Sequence, residues 1–293
     1  MFLKAFFNWF ATWGIIALSL SLYYILFSLG IVLTFGMHKV VNFAHGALYM
    51  VGAYCGYIIY CSTNNFVLAL LFGFSGSFIL GALLERMIIC RLYNSDSTIT
   101  FLITFALSFI IIGIVKLVAS AQFRTIKMPE ALSKRIIMGD IRIEIYRLFF
   151  IIISIMILIG MHIFLTKTKI GNIVRAGTSN SIAVEILGIN VSNFFTLTFA
   201  LGSGIAGLCG VLFAPLFTAL YPTMGDEIIL WGFVVVIIGG LGNFYGSIIG
   251  GIILGLLHSF GSLYLREYVL IFTYILVIII LTIRPQGILG GRE

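Results

Sequence analysis

The sequence predicts an all-α integral membrane protein: a polytopic, glycine-rich bundle of about eight or nine transmembrane helices with one or more broken or re-entrant segments. Of 293 residues, 61% are apolar and 9% are charged. Soluble domains carry about 25% charged residues, so this chain cannot cover a water-exposed surface. Its apolar runs are continuous and about twenty residues long, the length of a helix across the hydrocarbon core. The 32 glycines recur within these runs at four-residue spacing, as in closely packed membrane helices.

Apolar runs of membrane length indicate nine spans within a single transmembrane domain covering residues 1–293. Lys4 precedes the first run and no small-residue cleavage site follows, so this run is expected to remain as the first span. The seventh run is short and glycines separate it from the eighth, which makes it a candidate half of a broken or re-entrant segment. The expected spans are 13–34, 43–60, 66–89, 99–118, 148–165, 194–214, 228–241, 246–262 and 268–284.

Two polar stretches interrupt this pattern, at 119–147 and 166–193. The first ends in the alternating sequence IRIEIYR, which predicts a short strand or hairpin. Lysines and arginines collect in cytoplasmic loops of membrane proteins, but eight lie on each side of the expected topology. The charge count therefore leaves the orientation open.

No enzyme signature is present in the sequence. It lacks GxxxxGK[ST], GxSxG and HExxH, so the chain is not expected to bind nucleotide phosphates by itself or to carry a hydrolase site. Its four cysteines form no CxxC pair, which argues against a disulfide framework or a zinc site. The net charge of +7 comes from scattered cations, which suit anionic lipid better than nucleic acid. We therefore expect no catalytic residue, cofactor, metal or nucleic-acid partner.

The first distinctive segment is Thr34–Tyr54, TFGMHKVVNFAHGALYMVGAY. Asn42 and His45 lie three residues apart and share one face if the segment is helical. Both are costly in lipid, so they should point into the bundle or toward a water-filled path. A pore lining or gating element is one interpretation. A structural pair that satisfies the helix start is the other, and the residues alone do not decide between them.

The second segment is Gly171–Asn190, GNIVRAGTSNSIAVEILGIN. It predicts a short helix over about Asn180–Leu187 that ends at Gly188, a residue suited to a helix C-terminus. A short exposed helix between two spans suits docking into a groove of another protein. A plain connecting loop is the commoner case.

The third segment is Gly239–Gly255, GGLGNFYGSIIGGIILG. Gly239, Gly240 and Gly242 are expected to break the helix at membrane depth, where irregular backbone is tolerated only in a protein interior or along a cavity. Asn243 begins the next span much as Asn42 begins an earlier one. An internal repeat of this kind would be typical of a transporter.

Together these segments resemble the branched-chain amino acid permease family of ABC importers, colinearly from about Thr34 to Gly290. The resemblance includes RAG…AVEILGIN followed by LTFALGSGIAGLCGVLFAP, then GFVVVIIGGLGNFYGSIIGGIILGLL and the closing RPQGILG. The sequence departs from the family at Met37-His38-Lys39, where small or apolar residues are usual. It departs again near His258, where an acidic residue is frequent. Both departures concern fine specificity.

The resemblance implies a division of labour. Two ATP-binding cassette ATPase subunits would supply energy, an extracytoplasmic binding protein would deliver substrate, and a second related permease subunit would complete the pore. The chain would translocate branched-chain or other hydrophobic amino acids across the bacterial cytoplasmic membrane by alternating access. The stretch 119–147 would then be extracytoplasmic and 166–193 would be the cytoplasmic coupling loop, with the N-terminus outside and the C-terminus inside.

Two groups of residues receive expected roles on this basis. The coupling loop would contact the ATPase through Arg175, Ala176, Asn180, Ala183, Glu185, Gly188 and Ile189. The substrate path is expected to include Asn42, His45, Gly46, Gly239, Gly240 and Asn243.

Other functions stay open at this stage. An ATP-independent secondary transporter or channel for a small polar solute would need buried carboxylates or a ring of charge, and only Glu85 and Glu227 lie near span ends. Related permeases move urea or short amides, and permease sequences separate these cargoes poorly because the binding protein selects much of the cargo. A membrane-embedded enzyme would need a richer polar cluster than His38 with His45.

Overall fold

The computed structural model is a helical bundle, described over residues 2–38, 42–93, 95–138, 141–179, 184, 186–188, 190–217 and 219–290. A β-hairpin consists of β1 (Arg135–Met138) and β2 (Ile141–Glu144). Short 3-10 turns cover Ile89–Leu92, Glu130–Leu132 and Arg266–Tyr268. The helices are α1 (Phe2–His38), α2 (Ala44–Thr63), α3 (Phe66–Met87), α4 (Ser97–Ala119), α5 (Ile145–Lys167), α6 (Lys169–Ser179), α7 (Val191–Phe217), α8 (Met224–Gly239), α9 (Phe244–Tyr264) and α10 (Val269–Ile283).

Each of the nine expected spans corresponds to one long helix, which confirms the predicted fold class. Within the described residues, seven helices are long and apolar enough to cross a membrane. The other two long helices are the tyrosine-rich α2 and the 16-residue α8. At 1.5 Å per residue, α8 is about 24 Å long, shorter than the roughly 30 Å hydrocarbon core. It is the short span that the sequence predicted.

The helices form a central group surrounded by lipid-facing ones. In α1 and α7, 78% and 83% of the most apolar window are buried. The two central helices are covered by α2, α3, α8 and α9, with α3 packed along α7 and α9 along α1. In contrast, only 6% of the corresponding window of α10 is buried. A helix that is apolar all round and lies outside the bundle faces lipid.

Small residues let the central helices approach one another closely. Where α2, α3 and α7 meet, a Cβ on Gly52 would lie 2.6 Å from the Ser77 hydroxyl oxygen and 2.7 Å from the Gly207 carbonyl carbon. Gly251 and Gly255 of α9 face α1 in the same way. Apolar faces gain little by meeting in lipid, so close backbone packing supplies much of the attraction between helices. The glycine spacing in the sequence therefore corresponds to real helix contacts.

One end of the bundle, called the hairpin face, carries the β-hairpin, the α2–α3 turn and the α7–α8 connection. The strands pair antiparallel with Arg135 opposite Glu144, as the alternating sequence predicted. The segment before the hairpin is tied to the α7–α8 connection, because Arg124 and Leu220 exchange backbone hydrogen bonds of 2.9 and 2.6 Å. This contact fixes the loop over the end of the bundle.

The opposite end, called the α6 face, carries α6, the α3–α4 connection, the α8–α9 turn and the C-terminal tail Arg284–Gly290. The tail folds back onto the end of α8. The N–H groups of Ile288 and Leu289 donate to the carbonyls of Ile238 and Gly239, both at 2.9 Å. Carbonyls in the last turn of a helix have no partner within that helix, so the tail completes the hydrogen bonding of α8.

The helix break that the sequence predicted at these glycines is the tight turn between α8 and α9. Gly240 and Gly242 have φ values of +109° and +76°, a conformation that favours glycine. A Cβ on Gly240 would lie 2.6 Å from the backbone nitrogen of Gly290. The turn therefore lies against the tail at the α6 face, where two antiparallel helices are joined.

The helix α6 is absent from the sequence-based expectations. Its buried side includes Gly171, Val174 and Gly177. With the half-buried Ile170, the last two follow the i, i+4 and i+7 spacing of one helix face. Asn172 and Arg175 are exposed on the other side. This apolar spacing extends over only two turns, and the stretch around it is otherwise rich in lysine, asparagine, serine and glycine. The helix was therefore not predicted from the sequence.

The helix that was expected at Asn180–Leu187 lies largely outside the described residues. Within it, Val184 and Ile186 have helical backbone. Gly188 follows with a φ of +77°, which is the left-handed conformation common where a helix ends at glycine.

Candidate functional site

The polar pair predicted from the sequence lies at the first turn of α2, inside the bundle. His45 is fully buried, and its Nε2 lies 3.4 Å from the carbonyl oxygen of Phe27 on α1. Asn42 is 7% exposed, and its Oδ1 accepts a hydrogen bond from the Ala44 N–H at 3.0 Å. Asn42 thus satisfies one of the N–H groups that a helix start leaves without an internal partner.

Both side chains also keep one buried polar atom without a hydrogen-bond partner among the described residues. These atoms are Nδ2 of Asn42 and Nδ1 of His45. A buried polar group left without a partner costs about 1–3 kcal/mol, and each case calls for an explanation such as a water, an ion or a functional contact. The pair therefore has a structural role at the start of α2. That role leaves one polar atom of each side chain without a hydrogen bond among the described residues.

Gly46 brings the start of α2 against the start of α8. A Cβ on Gly46 would lie 2.9 Å from the carbonyl carbon of Gly225, and a Cβ on Gly225 would lie 3.2 Å from the Ala47 nitrogen. A larger residue at either position would push the two helices apart. Two helix N-termini thus meet beside the polar pair.

Asn243, Gly239 and Gly240 lie at the α8–α9 turn. Asn243 caps α9, because its Oδ1 accepts the Gly246 N–H at 2.9 Å. Its amide nitrogen also donates to the Leu289 carbonyl at 2.7 Å. Gly239 packs directly against Gly246, so the asparagine and the glycines hold together α8, α9 and the tail.

The predicted path residues therefore fall into two separate groups along α8. Ile229 lies beside Gly46, and Gly239 follows ten residues later on the same helix. Ten residues of α-helix rise about 15 Å. The structure brings together Asn42, His45 and Gly46 in one group, and Gly239, Gly240 and Asn243 in another.

A buried carboxylate joins α3 to α7 near the α6 face. Glu85 is fully buried and accepts hydrogen bonds from the hydroxyls of Tyr93 and Thr196. The next residue, Arg86, donates to the side-chain oxygen of Asn193 at 3.3 Å. Hydrogen bonds to a charged group contribute about 1.5–3 kcal/mol each, which offsets the burial of the carboxylate. One buried group thus fixes the α3–α4 connection to the start of α7.

Side chains in contact link α6 to this carboxylate. Val174 of α6 packs in a small apolar cluster with Val191 and Phe195 at the start of α7. The rings of Phe195 and Tyr93 meet edge to face with centroids 5.7 Å apart. A displacement of α6 would therefore reach the helices that Glu85 holds together.

The outer side of this region is exposed and mixes charge with large apolar groups. Arg175 and Ala176 are exposed on α6. Ile186 and Leu187 are 80% and 77% exposed. These four residues are called the α6 surface below. Arg175, like the exposed Lys169 at the start of α6, is a cation that belongs in water, so hydrocarbon does not cover this end of the bundle.

Three of the expected coupling residues lie in the described part of the chain. Arg175, Ala176 and Gly188 are exposed at the α6 face. The remaining expected contacts lie outside the described residues: Asn180, Ala183, Glu185 and Ile189.

A cavity of about 120 Å³ lies between α1, α2, α7 and α8 toward the hairpin face. At its most buried end the hydroxyls of Tyr23 and Tyr49 are 3.1 Å apart. The Tyr23 ring stacks on Phe213 with centroids 3.6 Å apart. This aromatic cavity is absent from the sequence-based expectations. It is lined by Tyr23, Tyr24, Tyr49, Phe213, Ala214, Ala219, Leu220, Tyr221, Met224, Glu227, Ile228 and Trp231.

His258 fixes two walls of the aromatic cavity from behind. Its Nδ1 lies 2.7 Å from the Tyr24 hydroxyl. The Trp231 ring meets the imidazole edge to face, with centroids 4.4 Å apart. Its Nε2 lies 3.3 Å from the Thr273 hydroxyl on α10. The histidine therefore restrains the rings that shape the cavity.

The rim of the cavity is polar. Tyr221, in the α7–α8 connection, lies close to the carboxylate of Glu227. Burial raises the pKa of the Tyr221 hydroxyl, and the neighbouring Glu227 charge raises it further. The tyrosine is therefore neutral at physiological pH and can donate to the neighbouring carboxylate.

The bundle crosses the membrane many times and is packed through glycines. It also has buried polar groups, an internal cavity and an exposed surface between two spans. This arrangement is typical of a membrane transport subunit. The model of the family described as branched-chain amino acid transport system, permease component, matches residues 15–281. The chain belongs to this family.

Curated relatives agree with this assignment. The chain is 27% identical over 285 residues to the high-affinity branched-chain amino acid transport system permease protein LivH of Escherichia coli K12, covering 92% of both chains. It is 26% identical to the corresponding permease protein BraD of Pseudomonas aeruginosa, with the same coverage. No solved structure matches the chain significantly. With its apolar helices, the protein is a multi-pass protein of the bacterial inner membrane.

Proposed function

We propose that the chain is the membrane-spanning permease subunit of an ATP-driven importer that translocates branched-chain or other hydrophobic amino acids by alternating access. ATP hydrolysis belongs to two ATP-binding cassette subunits. A second related permease subunit completes the pore, and an extracytoplasmic binding protein delivers the cargo. Membership of the permease family supports this assignment, and the α6 surface is the structural observation that carries it.

The α6 surface has the properties of a docking site. The large apolar side chains of Ile186 and Leu187 are exposed. Burying each of them against a partner would contribute about 1.5–3 kcal/mol of binding free energy. Arg175 adds a cation at the edge, which supplies orientation and specificity rather than bulk affinity. The segment between α5 and α7 presents these groups at the end of the bundle, where an ATPase groove can receive them.

The contacts behind the α6 surface provide a route for coupling. Val174 connects α6 to α7, and Tyr93 connects the same cluster to Glu85 on α3. Coupling requires that the ATPase and the cargo bias one element with two arrangements. We assign that role to the unit formed by α6, the start of α7 and the end of α3.

In this proposal the α6 face is cytoplasmic and the hairpin face is extracytoplasmic. The cargo path passes Asn42, His45 and Gly46, where two buried polar atoms have no partner among the described residues. It leaves near the other end of α8, where Gly239 and Asn243 lie. The path residues are thereby ordered from the bundle interior toward the cytoplasm.

Affinity purification of the tagged chain from native membranes tests the proposal. We expect mass spectrometry to identify an ATP-binding cassette ATPase and a second permease. Leu187→Asp combined with Arg175→Glu should remove the ATPase and retain the second permease. The matched control is Ile137→Asp, because Ile137 is 68% exposed on the hairpin face. Full ATPase recovery with the double variant would contradict docking at the α6 surface.

A further inference from the structure

Resting on the proposed function, we infer that the aromatic cavity is a transit site for the cargo itself. The cavity takes the branched aliphatic side chain of an amino acid, and Glu227 at the rim takes its α-ammonium group. No residue of this cavity belongs to the path expected from the sequence. The cargo rests there between delivery and release.

The size of the cavity suits a small aliphatic side chain. Its volume is about 120 Å³. An engineered cavity of about 150 Å³ in another protein accommodates benzene, with six carbons. A cavity slightly smaller than that has room for the three or four carbons of valine, leucine or isoleucine. Ala214 lies in the wall, and a longer side chain there would fill the same space.

The walls of the cavity are already ordered before any cargo enters. The Tyr23 ring is stacked on Phe213, and its hydroxyl is hydrogen-bonded to that of Tyr49. His258 restrains Tyr24 and Trp231. Because these rings are already fixed, binding a ligand does not require the entropic cost of ordering them. The faces of tyrosine and tryptophan also attract a cation, which favours an ammonium group close to the aromatic wall.

Glu227 provides the charge that an α-ammonium group needs. It is exposed and lines the cavity, and it lies in the first turn of α8, where the helix dipole favours an acidic residue. An exposed carboxylate does not face hydrocarbon in a membrane bundle. The mouth of the cavity therefore opens to water or to a path shared with a partner subunit.

The neighbouring acidic residue offers a matched comparison. Asp226 is also exposed in the first turn of α8. It is not among the residues that line the cavity, and it lies close enough to Lys116 of α4 for their charges to interact. Replacing Asp226 removes the same charge from the same helix turn without changing the cavity rim.

The position of the mouth agrees with delivery from outside. Leu220 and Tyr221 line the cavity, and the backbone of Leu220 is hydrogen-bonded to that of Arg124 in the hairpin-face loop. In the proposed topology this loop is the surface that the binding protein meets. Cargo released there enters the cavity before it reaches the polar pair at the start of α2.

Saturation-transfer difference NMR on the assembled transporter in nanodiscs, without binding protein or nucleotide, tests the inference. Leucine is the probe, and 4-methylpentanoate is the probe that lacks only the amino group. We expect saturation of the leucine methyl groups in the wild-type complex. Glu227→Gln should reduce the specific signal about tenfold, the loss that one charged hydrogen bond produces. Ala214→Leu should reduce it similarly by filling the cavity, and Asp226→Asn should leave it unchanged.

Two results overturn the inference. One is a leucine signal that persists unchanged in both Glu227→Gln and Ala214→Leu. The other is an equal loss in Glu227→Gln and Asp226→Asn. ATP-dependent leucine uptake by the same wild-type complex, reconstituted in proteoliposomes with the binding protein, separates this test from the proposed function. If uptake occurs while the signal is independent of the cavity, the inference alone fails. If there is no uptake, the proposed function fails, and the inference fails with it.

Discussion

The carboxylate of Glu85 on α3 accepts a hydrogen bond from the hydroxyl of Thr196 on α7. The two residues are 111 positions apart in the chain, and Glu85 is fully buried. Tyr93 donates to the same carboxylate from the α3–α4 connection. A charged group in this position is stable only while its hydrogen bonds are intact, so it reports directly on the packing beneath the α6 surface.

Weakening this contact should destabilise the bundle and reduce transport together. Glu85→Gln removes the charge from two hydrogen bonds, and we expect a loss of about 1–3 kcal/mol in the free energy of unfolding. Unfolding by SDS in mixed micelles measures this loss. The double variant Glu85→Gln, Thr196→Val should cost less than the sum of the single changes, because both remove the same interaction. Glu267→Gln, at an exposed site on the hairpin face, is the control.

The second prediction concerns the close approach of α3 and α7. A Cβ on Gly207 would lie against the Ser77 hydroxyl oxygen and 2.6 Å from the Gly73 carbonyl oxygen. Gly207→Ala should therefore lower stability by about 1–3 kcal/mol through overpacking. Gly160→Ala is the matched control, because a Cβ on Gly160 meets nothing within 4 Å. Equal thermal stability of the two variants in detergent would contradict the observed packing.

A third prediction concerns the C-terminal tail. Asn243 both caps α9 and binds the Leu289 carbonyl, whereas Asn65 only caps α3. Asn65→Ala should cost about 1 kcal/mol, the usual value of a cap. Asn243→Ala should cost about 1 kcal/mol more. It should also speed hydrogen exchange at Leu289 and the preceding residue, as measured by mass spectrometry, while Asn65→Ala leaves that exchange slow.

A fourth prediction separates the coupling role of the α6 face from stability. Gly188 is exposed with a φ of +77°, and a Cβ there meets nothing within 4 Å. Gly188→Trp should add a local strain of about 1–2 kcal/mol and block the docking surface. We expect the protein to remain in the membrane and amino acid uptake to be abolished. Gly160→Trp, which points into open space, is the control. Normal uptake by Gly188→Trp would contradict docking of the ATPase at the α6 face.

The spans could be predicted from the sequence because lipid leaves a helix few alternatives. Continuous apolar runs fix both the type and the approximate length of each element, and the short α8 was visible as a short run. The contact between Asn42 and the start of α2 could also be expected, since a cap acts over two or three residues. These features depend on neighbouring positions, which a single sequence shows.

The remaining features are assembled from distant positions. The aromatic cavity needs Tyr23, Tyr49, Phe213 and Trp231 from four helices, and their sequence positions alone do not show that the rings meet. The tail contact joins Asn243 to a residue 46 positions later. The helix α6 was missed for a different reason. Its apolar spacing is short, and polar residues surround it.

ATP-dependent uptake is the most direct test of the proposed function. The tagged chain is purified with its partner subunits, reconstituted in proteoliposomes, and supplied with the binding protein of the proposed importer and radiolabelled leucine. We expect accumulation that requires ATP on the side of the α6 face and that Leu187→Asp with Arg175→Glu abolishes. Accumulation driven by a proton or sodium gradient without ATP would contradict the account and identify an ion-coupled transporter instead.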